Sequence, residues 1–195
     1  MVLLDFGHGV DTHGKASPDG SFREWDWNRQ VGMRVYRFLM DCGIETRIVV
    51  TEDEDISLAE RVRRINAVCD EVGVKNVILV SIHSDAAGSG REWMQGRGWS
   101  CYTTKGQTES DNLAECLYDV FEDHFPDRTF RYDRSDGDRD KEKNFYIIFH
   151  SKCPAVLIED FFYDNKEECA WLLQEVTKDR IANAIGMGIY KYMSR

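Results

Sequence analysis

The sequence predicts an α/β fold on a largely parallel sheet, and two patterns carry that expectation. Short β-branched runs bounded by turn residues alternate along the chain with amphipathic helical spacings, the order in which crossover helices connect parallel strands. Three of those runs also lead into a residue able to bind or serve a metal. Met1–Phe6 precedes Gly7-His8-Gly9, Val77–Ile82 precedes His83, and Ala155–Ile158 precedes Glu159. Sites in open α/β sheets form at the carboxyl ends of strands, so these distant residues are expected to meet at one rim.

Each element has its own signal. After the first strand comes a polar loop holding Gly7, Gly9, Gly14, Pro18 and Gly20, long enough to be functional. Val31, Val35, Phe38 and Leu39 have helical spacing that ends near Gly43, and Ile44–Val50 is the next strand. Ser57-Leu58-Ala59-Glu60 has the form of a capping box, followed by one apolar helix face at Leu58, Val62, Ile65 and Val68. Val77–Ile82 is the central strand, with a glycine-rich loop over Ser84–Gly98 and a further strand over Trp99–Thr104. Leu113, Leu117, Val120 and Phe121 mark a helix that stops before Pro126. Tyr146–Phe149 and Ala155–Ile158 read as the last strands, and one long helix carries Leu172, Leu173, Val176, Ile181, Ile185 and Ile189. The charged stretch Arg131–Lys143 reads as a solvated loop. A calcium-loop register starting at Asp136 fails there, because Lys141 stands where the sharp-turn glycine belongs and Ile147 where the bidentate glutamate belongs.

Composition narrows the function. A chain of 195 residues, 42% hydrophobic and 12% aromatic, closes one core, so residues 1–195 are expected to form a single domain. Its 25 basic and 35 acidic residues give a net charge of −10, the wrong sign for tracking phosphates, which excludes nucleic acid as the expected partner. No window reaches the length of a membrane span, and the amino terminus starts with a strand-like run instead of a leader. The expectation is cytoplasmic synthesis without a signal peptide and no membrane insertion. Cys42, Cys69, Cys101, Cys116, Cys153 and Cys169 are scattered with no CxxC pair, so they read as buried free thiols. Any metal must then be held by histidine and carboxylate.

A catalytic zinc takes three protein ligands and leaves a fourth position for water, whose pKa it lowers. His8, Glu24 and His83 form such a set, although each alone also reads as an ordinary loop or helix-start residue. His13, His124 and His150 have no partner pattern and read as structural or surface residues. Trp25, Trp27, Trp93 and Trp99 are divided between core packing and a sugar- or peptide-stacking platform, with Trp93 the best placed to line a groove.

Five ordered motifs together resemble one family. Leu4-Asp5-Phe6-Gly7-His8-Gly9, Glu24 with Asn28, Ile56-Ser57-Leu58 with Arg61 and Asn66, Ser81-Ile82-His83-Ser84-Asp85, and Val156-Leu157-Ile158-Glu159 with Phe162 and Asn165 are similar to the motifs of zinc-dependent N-acetylmuramoyl-L-alanine amidases, from about residue 2 to 190. The resemblance implies a mixed, mostly parallel sheet with helices on both faces, the phosphorylase/hydrolase-like amidase fold. It implies one zinc ion (Zn2+) per chain, held by His8, Glu24 and His83, with Glu159 as the catalytic carboxylate. The implied substrate is peptidoglycan or muropeptides, cut between muramic acid and the L-alanine of the stem peptide. Phe6 departs from the family's usual proline, Asp85 from asparagine, and Asp160-Phe161 from a small residue followed by glycine. Asp5 is expected either to orient a ligand histidine or to serve as a strand-end turn residue.

Absence of a leader and of wall-binding repeats suggests a phage or prophage endolysin that reaches the wall after release. The alternatives are a zinc carboxypeptidase-like peptidase and a non-catalytic wall-binding module on the same fold. Such peptidases place the first histidine and glutamate three residues apart, whereas His8 and Glu24 stand sixteen positions apart, which disfavours the first. Retention of all four site residues disfavours the second.

Overall fold

In the computed structural model, which describes residues 1–195, the chain forms six strands and six α-helices in the order β1 (Val2–Phe6), α1 (Glu24–Asp41), β2 (Thr46–Ile48), α2 (Leu58–Val72), β3 (Ile78–Asp85), β4 (Ser100–Thr103), α3 (Glu109–His124), β5 (Lys141–Glu142), α4 (Tyr146–His150), β6 (Ala155–Phe162), α5 (Lys166–Leu172) and α6 (Glu175–Met193). The strands make one sheet in the order β2-β1-β3-β6-β4-β5. All neighbours are parallel except β4 and β6, which run antiparallel. The predicted mixed, mostly parallel sheet is therefore present, and β1, β3 and β6, the three strands with chemistry at their ends, are consecutive at its centre.

Strand periodicity sorts the core into two layers. Val2, Leu4 and Phe6 of β1, Ile78, Val80 and Ile82 of β3, and Val156 and Ile158 of β6 face the long helices α1, α3 and α6. Leu3, Leu79, Ala155 and Leu157 face the other way, onto Val62, Ile65 and Cys69 of α2 and Ile147 and Ile148 of α4. Both faces are thus covered, as near-continuous apolar strands require.

Several local expectations need correction. Tyr146–Phe149 is helical rather than a strand: Ile147 and Ile148 are buried while Tyr146 and Phe149 are exposed, an in-in pairing that alternation cannot produce. A run of four apolar residues does not reveal its period. The final helix is two helices, because Gln174 takes extended dihedrals between α5 and α6, and no glycine or proline marks the break. Asn165 starts α5 by accepting from the Glu167 and Glu168 amides. Half of the predicted capping box exists. Ser57 Oγ accepts from the Glu60 amide, but the Glu60 carboxylate pairs with Arg63 and Arg64 instead of returning to the helix start. All six cysteines are free, with Cys42 exposed and the other five buried.

The substituted positions of the family pattern are accommodated by packing. Phe6 fits because Gly32 on α1 has no Cβ, which would stand 2.1 Å from Phe6 Cε1. Phe161 is buried against Phe125 and Trp171 with φ of 62°, the left-handed region where the family's usual glycine carries no steric penalty.

Candidate metal centre

The turn after β1 sets the first histidine. His8 has φ of 66°, unusual for a residue with a side chain, and the surrounding contacts hold it there. Its carbonyl accepts from Arg29 Nη1 at 3.0 Å and Arg61 Nη2 at 3.3 Å, and the preceding Gly7 carbonyl accepts from Asn28 Nδ2 at 3.3 Å. Arg61, 2% exposed, also donates to Asp5 Oδ1, the Phe6 carbonyl, Asp55 and the Ile56 carbonyl. Asp5 is buried and accepts from Ser81 Oγ and from Arg61. Arg61 links it to the His8 carbonyl, an indirect form of the expected histidine-orienting role.

Glu24, buried in the first turn of α1, lies between the two imidazoles. Its Oε1 is 3.2 Å from His8 Nε2 and 3.1 Å from His83 Nδ1, and it also accepts from the Ser84 amide. One ligand atom from each of His8, Glu24 and His83 lies within 4.8 Å of the others. Burial alone would raise the Glu24 carboxyl, but the two imidazoles close to its Oε1, His8 and His83, hold it well below the usual carboxylate range. Burial lowers His8 in turn, which favours the neutral imidazole a metal requires. His8 Nε2 and Glu24 Oε2 are enclosed with no hydrogen-bond partner. Two imidazole nitrogens, one carboxylate and these orphaned atoms fit a catalytic zinc, which takes three protein ligands.

His83 lies within β3 rather than at its end, since the strand continues to Asp85 through a register shift. The parallel pairing sets His83 opposite Glu159 on β6. Glu159 is half-buried, with Oε2 enclosed and unpartnered. Burial first, then the charges of Glu24 and Asp85, raises its carboxyl well above the ordinary range. All four residues singled out in the sequence therefore meet at one rim.

Two participants had no sequence signal. Lys15 Nζ comes within 3.6 Å of Glu24 Oε2 from the polar loop between β1 and α1. Arg131, from the charged stretch, pairs with Asp85 at 3.4 Å and lies over the Phe162 ring, partly offsetting the extra charge of Asp85. Only tertiary proximity identifies either. A cavity of about 230 Å³ touches His8, His83, Asp55 and Leu58 at the centre, and a separate one of about 570 Å³ touches Asp85, Arg97, Tyr102 and Arg131. Trp27 and Trp99 are core residues and Trp93 packs partly against the core. His13 and His150 are exposed, and His124 Nδ1 stands 2.9 Å from the Val120 carbonyl oxygen.

A parallel-centred α/β sheet with two histidines and two glutamates gathered at its rim defines a hydrolase architecture. The chain belongs to the N-acetylmuramoyl-L-alanine amidase family, whose model matches residues 2–191. It is 26% identical to the endolysin of Bacillus phage SPP1, over 100% of this chain and 66% of that protein. It is 28% identical to the N-acetylmuramoyl-L-alanine amidase LytC of Bacillus subtilis (strain 168), over 98% of this chain and 35% of that one. The chain thus spans less than two thirds of the length of these two relatives. Among solved structures, an N-acetylmuramoyl-L-alanine amidase from Clostridium difficile 630 superposes with a TM-score of 0.81 at 26% identity, covering 99% of this chain and 96% of that one. No helix here is long and apolar enough to cross a membrane.

Proposed function

We propose that residues 1–195 form a single catalytic domain that hydrolyses the amide between N-acetylmuramic acid and L-alanine in peptidoglycan or muropeptides. His8, Glu24 and His83 hold one zinc ion, and Glu159 is the catalytic carboxylate. The observation that carries this reading is the enclosed, unpartnered Glu159 Oε2 on the strand position opposite His83. Zinc in such a site supplies Lewis-acid polarisation of a carbonyl and lowers the pKa of water.

The protein's own groups supply the rest. Glu159 accepts a proton from the attacking water at its free oxygen and delivers it to the departing nitrogen, the transfer that amide cleavage needs. Burial raises its pKa and so strengthens it as a proton acceptor, and a bound dication would act in the opposite direction, favouring the ionised form that takes the proton. Glu24, anchored by the Ser84 amide, fixes the spacing of the two imidazoles. The net charge of −10 provides no long-range pull toward an anionic wall, so binding rests on short-range contacts in the two cavities and depends weakly on salt.

The test is digestion of purified peptidoglycan with and without a zinc chelator, with the new ends identified by mass spectrometry. Free stem peptides beginning with L-alanine, lost on chelation, are expected. New peptide-bond ends would instead assign a zinc peptidase, and intact wall with zinc-loaded protein would assign a binding module.

A further inference from the structure

We propose that Asp111, Asp138 and Asp140 form a calcium site, distinct from the histidine-containing centre, that clamps the loop before β5 to the first turn of α3. One oxygen of each carboxylate lies within 4.8 Å of the others. Asp111 is the third residue of α3, and the other two lie in the charged stretch expected to be a solvated loop. Asp140 contradicts that expectation: it is 1% exposed, and Asp111 is 6% exposed.

Each carboxylate has one oxygen held by an uncharged donor. The Thr108 amide donates to Asp111 Oδ2, Gln107 Nε2 to Asp138 Oδ2 at 2.7 Å, and Thr103 Oγ1 to Asp140 Oδ2 at 2.5 Å. Oδ1 of Asp138 and Oδ1 of Asp140 are enclosed with no partner at all. No basic side chain compensates the three acids. Arg139, between two of them in sequence, is committed to Glu115, Asp119 and Glu122. Buried carboxylates lacking a counter-charge are costly, and a cation removes that cost. Burial chiefly, with the charges of Asp138 and Asp111, pushes the Asp140 carboxyl up to about 7 against the opposing Thr103 hydrogen bond.

The donors select the ion. An all-oxygen set with no nitrogen or sulfur suits a hard cation rather than zinc. Carboxylates gathered from a helix turn and a loop suit the flexible coordination of calcium, whereas magnesium demands a near-ideal octahedron and keeps several of its waters. A calcium-loop register failed in the sequence because the third acid arrives from α3 rather than from the loop. The clamped segment leads straight into β5, a two-residue edge strand with little holding power of its own.

The experiment is calorimetric titration of calcium chloride into zinc-loaded protein exchanged into calcium-free buffer, alongside thermal melts. We expect one calcium per chain with a Kd of about 10–1000 μM. Saturation should raise Tm by about 5–10 °C. Asp138→Asn, at a half-buried loop position, should weaken calcium at least tenfold and abolish the Tm rise while melting no lower than wild type in calcium-free buffer. Three results would overturn the proposal: no saturable heat or Tm shift in the wild type at about 5 mM calcium, undiminished binding in both Asp138→Asn and Asp140→Asn, or an equal response to magnesium.

Discussion

His83 and Glu159 stand opposite each other in the parallel pairing of β3 with β6. One also approaches Glu24 at 3.1 Å, while the other leaves an enclosed oxygen free. This separation of holding and proton-handling roles predicts different phenotypes. Glu159→Gln should retain one zinc per chain and lose about 100- to 10,000-fold in kcat, the usual weight of a general acid–base group. His8→Ala, His83→Ala and Glu24→Ala should lose zinc and activity together. Metal analysis beside kinetics checks this, and wild-type turnover in Glu159→Gln would refute the assignment.

Gly7 sets the place of the His83 ring. A Cβ at residue 7 would stand 2.2 Å from His83 Cε1 and 2.4 Å from Nδ1, with no room for either to yield without moving the imidazole. Gly7→Ala should therefore weaken zinc binding by an order of magnitude or more while the protein remains folded. Zinc affinity by competition with a chromogenic chelator reads it; an unchanged affinity would mean that the ring relocates freely.

Arg61 joins β1, the His8 turn and the start of α2 from a buried position. Removing one partner of a buried ion pair typically costs about 3–5 kcal/mol, so Arg61→Ala should lower stability by that order. Lysine, a point charge without the planar fork, should rescue little. Denaturant unfolding decides, and a loss below about 1 kcal/mol would contradict the role.

Asp160 is buried, and burial pushes its carboxyl up to about 8 although the Trp99 indole donates to it at 2.8 Å. In the unfolded chain an aspartate titrates near 3.9. Because the folded pKa is the higher one, its contribution to stability is full below about pH 4 and is lost as pH rises toward 8. Asp160→Asn should abolish that slope, so the stability difference between variant and wild type shifts in favour of the variant from pH 5 to pH 8. Parallel urea-unfolding profiles across that range would remove Asp160 as the source.

Much of this was legible in the chain because it depends on local periodicity and turn chemistry. The apolar runs located β1, β3, β4 and β6 to within a few residues, and helical spacing located α1, α2 and α3. The motifs named His8, Glu24 and His83, whose ligand atoms the fold gathers into one cluster, and Glu159, which the strand pairing sets opposite His83. Where the local signal was weak, it failed. Tyr146–Phe149 is too short to display a period, and the break at Gln174 has no glycine or proline to announce it.

By itself the sequence determined the α/β class, the strands that end in chemistry and the residue types available there, since hydrophobic period and motif are properties of neighbouring residues. Only the tertiary structure decided what those residues do to one another. Strand order made β1, β3 and β6 adjacent and set His83 against Glu159; the path of α1 carried Glu24 between two histidines. It also joined Asp111 to Asp138 and Asp140, and Arg131 to Asp85. Distances between side chains remote in sequence are set by how the layers pack, and no local pattern encodes them.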